Sequence, residues 1–110
     1  LHLEDMLEAS GFFVGVHDFT AFASDIKSVK NPVRNVEELS INPEGAFIHF
    51  DFKANAFLHG MIRTIVGTLL NVGRGKFTSE EVKDILESKD RAKAGTLAPP
   101  QGLCLMEVGY

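Results

Sequence analysis

The chain has 110 residues, a formal net charge of −4, 45% hydrophobic residues, nine phenylalanines and one cysteine. That length and apolar content suit one modest core, and the excess of acid weighs against a free-standing nucleic-acid binder, because phosphate is held by clustered Lys and Arg. No apolar run approaches the roughly 20 residues that a helical bilayer span requires, and no basic-then-apolar leader opens the sequence, so a soluble domain is expected, with no membrane partner.

Cys104, being alone, makes no internal disulfide and fits a reducing compartment, read as the cytoplasm. No Cys/His spacing suggests a metal site, and neither metal nor cofactor is expected. Leu1 stands where an initiator methionine would be and Tyr110 falls inside a predicted strand, which leads to the expectation of a segment from a longer polypeptide.

In chain order, Leu3, Met6 and Leu7 recur at helical spacing, with Gly11 as a stop, and predict an amphipathic helix over the first dozen residues. A loop containing "VHDFTAF" follows, in which Phe19 and Phe22 stand three apart, as on a short helical turn. Alternation over Val33 to Ile41 and Ala46 to Lys53, with "NPEG" at 42 to 45 between them, predicts a hairpin. In its second strand Ile48, Phe50 and Phe52 face one way, while Phe47, His49, Asp51 and Lys53 face the other.

A long helix is predicted from about Asn55 to Asn71, ended by Gly73 and Gly75. Thr78 and Glu81 have the spacing of a capping box, with Val82, Ile85 and Leu86 at core-facing positions of the next helix. A polar segment and "APPQG" then lead into a last strand, "LCLMEVGY". Strands set apart from helices along the chain predict an α+β class, a mainly antiparallel sheet backed by helices on one face, in a single domain over residues 1–110.

Within "NAFLHGMIRTIVGTLL" Arg63 is the one formally charged residue. A helical wheel puts it opposite the apolar sector of Phe57, Met61, Ile65 and Thr68, beside Ala56, His59, Gly60 and Gly67. Two readings stand open. The side chain either snorkels to water or meets a carboxylate or phosphate, whose two oxygens its planar fork fits. His59 taken alone reads as a packed or surface histidine. Lys27, Lys30 and Arg34 form an acid-free run, and Arg74, Lys76 and Arg91 add basic groups near predicted turns; charge alone makes these solvated loops or phosphate contacts.

The segment "NAFLHGMIRTIVGTLLNVGRGK" resembles the NAFxHHMVRNIVG region of the tRNA pseudouridine synthase A family. "VGVHDFTAF", "NPVRNV", "FIHFDFKANAF", "SKDRAKAG" and "APPQGLCLMEVGY" follow the family's pattern in the family's order, over nearly the whole chain. What the chain resembles is the C-terminal half of such an enzyme. The resemblance implies an isomerase that converts uridine to pseudouridine in the tRNA anticodon stem-loop, acting as a homodimer. The family's nucleophilic aspartate lies in a Gly-Arg-Thr-Asp motif that this chain lacks, so the chain is expected to supply one wall of a cleft and to be inactive alone. By the same resemblance Arg63 pairs with that aspartate, and Leu103 lies against the target base, with His59 and Phe57 as further substrate contacts. His17, Asp18, Phe19 and Phe22 match the family's HDFxxF and are read as cleft rim or structural. Gly60 and Thr64 depart from the family's usual histidine and asparagine, and Cys104 from its frequent tyrosine, so no contact is assigned to those side chains.

Two other classes were weighed. "AFIHF" at 46 to 50 resembles half of the aromatic strand signature of an RRM-type RNA-binding module, with Phe47 and Phe50 suitably placed. A plain dimerisation module is the other, and it is compatible with the enzyme reading.

Overall fold

The computed structural model describes residues 2–24, 27, 29–45, 47–94 and 106–109. Helix α1 (Leu3–Gly11) leads to strand β1 (Gly15–Asp18), a 3-10 turn (Thr20–Phe22), and the hairpin β2 (Val33–Glu44) and β3 (Phe47–Ala54). Helices α2 (Met61–Gly73) and α3 (Ser79–Ser88), a second 3-10 turn (Arg91–Lys93) and β4 (Met106–Gly109) complete the order. The sheet runs β1-β2-β3-β4, with the first three strands antiparallel and β4 parallel to β3. This is the α+β arrangement expected from the sequence. Among the described residues no helix is long and apolar enough to cross a membrane.

The alternation in the hairpin decides which face is covered. Leu39 lies opposite Phe52 and Ile41 opposite Phe50, and all four are buried. Ser40 opposite Asp51 and Asn42 opposite His49 occupy the other, more polar face. Strand residues two apart share a face, so one apolar row meets the helices. Met6, Ala9 and Phe13 from the N-terminal end, Ile65, Val66, Leu69 and Val72 of α2, and Val82, Ile85 and Leu86 of α3 join the same buried cluster.

Four details differ from the sequence reading. Leu7 is 46% exposed, and α1 instead buries Met6, Ala9 and Ser10, because the helix packs on α2 and α3 through its small-residue side. The hairpin turns later than "NPEG" suggests: Asn42 pairs with His49, Pro43 with Ile48 and Glu44 with Phe47, and Gly45 takes a positive φ of 59°. Pro43 is accommodated because β1 pairs only as far as Val36, and among the described residues no other strand on that side of β2 misses its N–H. Gly15–Asp18 is a strand rather than a loop, too short to show a period.

The fourth correction matters most. Residues 55–60 are not helical. Asn55 stays tied to β2, its N–H donating to Asn35 O (3.1 Å) while its Oδ1 accepts from Asn35 N–H (2.8 Å), and α2 begins only after Gly60. Its end follows the expected glycine logic. Gly75, at φ 81°, donates to Val72 O (3.0 Å) and Lys76 N–H to Asn71 O (2.9 Å), the pair of bonds of a Schellman motif.

The capping box is present: Thr78 Oγ1 accepts from Glu81 N–H (3.2 Å) and Glu81 Oε1 from Thr78 N–H (3.1 Å). Thr78→Ala is therefore expected to cost about 1 kcal/mol, read as a lowered urea midpoint at unchanged slope. An unmoved midpoint would show that packing of Val82, Ile85 and Leu86 alone holds α3.

An RRM-type module is not what forms. Such a module places a helix between its first two strands, whereas β1 and β2 are joined here through a 3-10 turn and pair as neighbours. Phe50, needed for base stacking in that reading, is only 2% exposed.

Candidate active-site wall

Helix α2 is buried on almost every side. Thr64 through Leu69 are all buried, and only Ile62, Arg63 and Leu70 are partly open. Interior hydroxyls must be bonded, and they are: Thr64 Oγ1 donates to Gly60 O (2.8 Å), and Thr68 Oγ1 reaches Thr64 O (2.8 Å) and Ala94 O (3.0 Å). The last of these ties the second 3-10 turn to α2.

Arg63 lies in the first turn of α2, half-buried. That turn carries no acidic residue. The usual arrangement is the reverse, since the positive end of the helix dipole favours Asp or Glu there. Gly67, expected on an open face beside Arg63, is buried instead, and Ala56 and His59 lie before the helix rather than on it.

His59 is exposed in the segment leading into α2, and its carbonyl accepts from Ser24 N–H (2.8 Å). Phe57 is half-buried and meets Phe52 edge-on, with ring centroids 6.4 Å apart. Leu103 and Cys104 lie outside the described residues.

The HDFxxF residues are placed by the first 3-10 turn. Asp18 Oδ1 accepts from Thr20 N–H (2.9 Å) and from Thr20 Oγ1 (2.5 Å), closing the turn, and its other oxygen is 3.9 Å from Lys89 Nζ. Phe19 and Phe22 are fully buried, and Phe22 packs edge-on against Phe13 with centroids 4.9 Å apart. His17 donates its Nε2–H to Val14 O (3.0 Å) and meets Phe19 edge-on at 5.8 Å. His17 and Asp18 line a groove of about 390 Å³ together with Phe12, Val16 and the end of α3. Arg63 does not line it, so this groove and the first turn of α2 are separate features.

Of the basic candidates, Lys27, Lys30, Arg74 and Lys76 are exposed, while Arg91 is half-buried. Arg34 is folded back on its own loop: Nη1 donates to Asn31 O (2.6 Å) and Val33 O (2.8 Å). Sequence reasoning missed the contact between the first 3-10 turn and the start of α2. The motifs that carry it are 36 residues apart, Ser24 against Gly60, and nothing local announces the pairing.

A family model described as tRNA pseudouridine synthase matches residues 9–110. The chain is 47% identical over all 110 residues to "tRNA pseudouridine synthase A" of Thermoanaerobacter sp. (strain X514), of which it covers 45%. It is 46% identical, again over its full length, to the protein of the same name from Burkholderia mallei (strain SAVP1), of which it covers 41%. The chain thus spans less than half the length of these curated relatives. A match that runs unbroken through α2, both 3-10 turns and the whole sheet leaves one conclusion: the chain belongs to the tRNA pseudouridine synthase family.

Proposed function

We propose that the full-length protein containing this chain is an isomerase that converts uridine to pseudouridine in the anticodon stem-loop of tRNA, working in the cytoplasm as a homodimer. The chain is one wall of its active-site cleft. The observation that carries this reading is the family match over residues 9–110, within which Arg63 stands half-buried in the first turn of α2.

In this reading Arg63 is the partner of an aspartate that the rest of the polypeptide contributes. The guanidinium holds the carboxylate ionised and fixes both its oxygens, because a nearby cation favours the charged form and a bidentate fork restricts its direction. The reaction detaches uracil from its ribose, turns it and reattaches it through carbon, which requires a positioned anion and a base drawn out of its stem. Phe57, His59 and Leu103 contact the base, and Lys27, Lys30, Arg34, Arg74, Lys76 and Arg91 meet phosphate. His17, Asp18, Phe19 and Phe22 hold the rim.

The test is direct. The full-length protein, incubated with an unmodified tRNA transcript, is expected to form pseudouridine in the anticodon stem-loop, read by carbodiimide adducts that stop primer extension. Residues 1–110 alone are expected to form none. A full-length protein that leaves every uridine of the stem-loop unmodified would overturn the reading.

A further inference from the structure

The entry into α2 is pinned from outside the helix. Gly60, the residue before Met61, sits at φ 74°, and its carbonyl accepts from both Thr64 N–H (3.0 Å) and Thr64 Oγ1 (2.8 Å). Against it lies Ser24. A Cβ at position 60 would press into Ser24 Oγ and come within 3.2 Å of Ser24 Cβ. The backbones are joined at the same place, Ser24 N–H donating to His59 O at 2.8 Å. In this chain the left-handed conformation and the contact with Ser24 both favour glycine.

Both sides of this contact lean on buried neighbours. Ser24 follows Phe22 and Ala23, which are 0% and 3% exposed, so its backbone is anchored in the core. On the other side Met61 and Thr64 are buried, while Ile62 and Arg63 of the same turn are partly open. A displacement at Gly60 that Ser24 does not take up passes into that turn. Arg63 stands three residues on, about one helical turn away, and moves with it.

The geometry points to Ser24 and Gly60 as positioning residues for the proposed isomerisation: their contact sets the direction in which α2 starts, and so the place of the Arg63 guanidinium. This rests on the reading of Arg63 as partner of the catalytic carboxylate. Neither residue touches the substrate in this account; both act through Arg63. A shift of an ångström at a reacting group costs on the order of 100-fold in rate, so a partial shift has a measurable effect.

The experiment uses the full-length protein and a tRNA transcript. Gly60→Ala is expected to lower kcat by about 20-fold while KM for tRNA stays within about twofold, because RNA-binding surface is untouched. Adding Ser24→Gly to Gly60→Ala opens the space and is expected to return at least about fivefold of that loss, leaving only the strain of the positive φ. Ser24→Val, which adds bulk from the other side at an unstrained residue, is expected to lower kcat in the same way, and it decides the matter should Gly60→Ala fail to fold. Wild-type kcat in Ser24→Val, or a double variant no faster than a folded Gly60→Ala, would overturn the inference. Arg63→Ala is run in parallel. If it is inactive while the Ser24 and Gly60 variants are normal, only the positioning role fails; if it turns over normally, the underlying reading of Arg63 fails.

Discussion

Arg63→Ala in the full-length protein is expected to reduce pseudouridine formation by about 10³-fold, with the fold kept. The size follows from what the guanidinium has to do. An aspartate of ordinary pKa, about 3.9, is already ionised at neutral pH, so in water it would need no help. In a cleft closed over a base, desolvation raises a carboxyl pKa by as much as about 3 to 5 units, and a cation alongside offsets about 1 to 3 of them. In the proposed pairing, losing Arg63 removes part of the ionised fraction and all of the bidentate alignment. Arg63→Lys restores the charge but not the fork, and is expected to recover no more than about tenfold.

Stability should hardly change. Arg63 is half-buried, so truncation forfeits some packing of its alkyl stem, roughly 1 kcal/mol or less. Single-turnover rates give the first quantity and urea titration the second. An alanine variant that isomerises uridine at the ordinary rate would remove the basis for assigning Arg63 a role.

Phe22→Ala is expected to have the largest effect on stability, about 3 to 5 kcal/mol. Phe22 is fully buried and its ring stands at 87° to that of Phe13, the edge-to-face geometry that adds about 0.5 to 1.5 kcal/mol beyond buried area. Against a total of roughly 5 to 15 kcal/mol for a domain, such a loss brings the fold close to its threshold. A double-mutant cycle with Phe13→Ala separates the two contributions: a coupling of about 0.5 to 1.5 kcal/mol is expected from the ring pair. Phe22→Leu, which keeps apolar volume, should cost much less than alanine. Were Phe22→Ala to leave the urea midpoint in place, the HDFxxF segment would have to be a surface device rather than part of the core.

The elements most readable from sequence were those whose signals are local. The capping box at Thr78 and Glu81, the glycines closing α2 and the alternating phenylalanines of β3 each lie within a few residues of the feature they create. The start of α2 was misread because "NAFLHG" has helix-compatible residues, while the bonds that hold it out of the helix run to Asn35 and Ser24, far away in sequence. The wheel around Arg63 inherited that error. It grouped His59 with Arg63 on one helical face, and it left Gly67 open where tertiary packing buries it. That Arg63 is the one formally charged residue of "NAFLHGMIRTIVGTLL" is visible without coordinates. The direction in which it points is not, because contacts that no local pattern encodes set where α2 begins.

The parallel pairing of β4 with β3 has a consequence for biosynthesis. Phe50 is matched with Met106, so 56 residues must be added before the ladder along that side of the hairpin can close. At about 5 to 20 residues per second, a ribosome needs about 3 to 11 seconds to supply them. Throughout that interval the nascent hairpin exposes an uncapped row of amides and carbonyls next to Phe50 and Phe52, a template on which a neighbouring nascent chain can zip. Yield on overexpression should therefore depend on chaperone supply and growth temperature more than the stability of the finished domain would suggest.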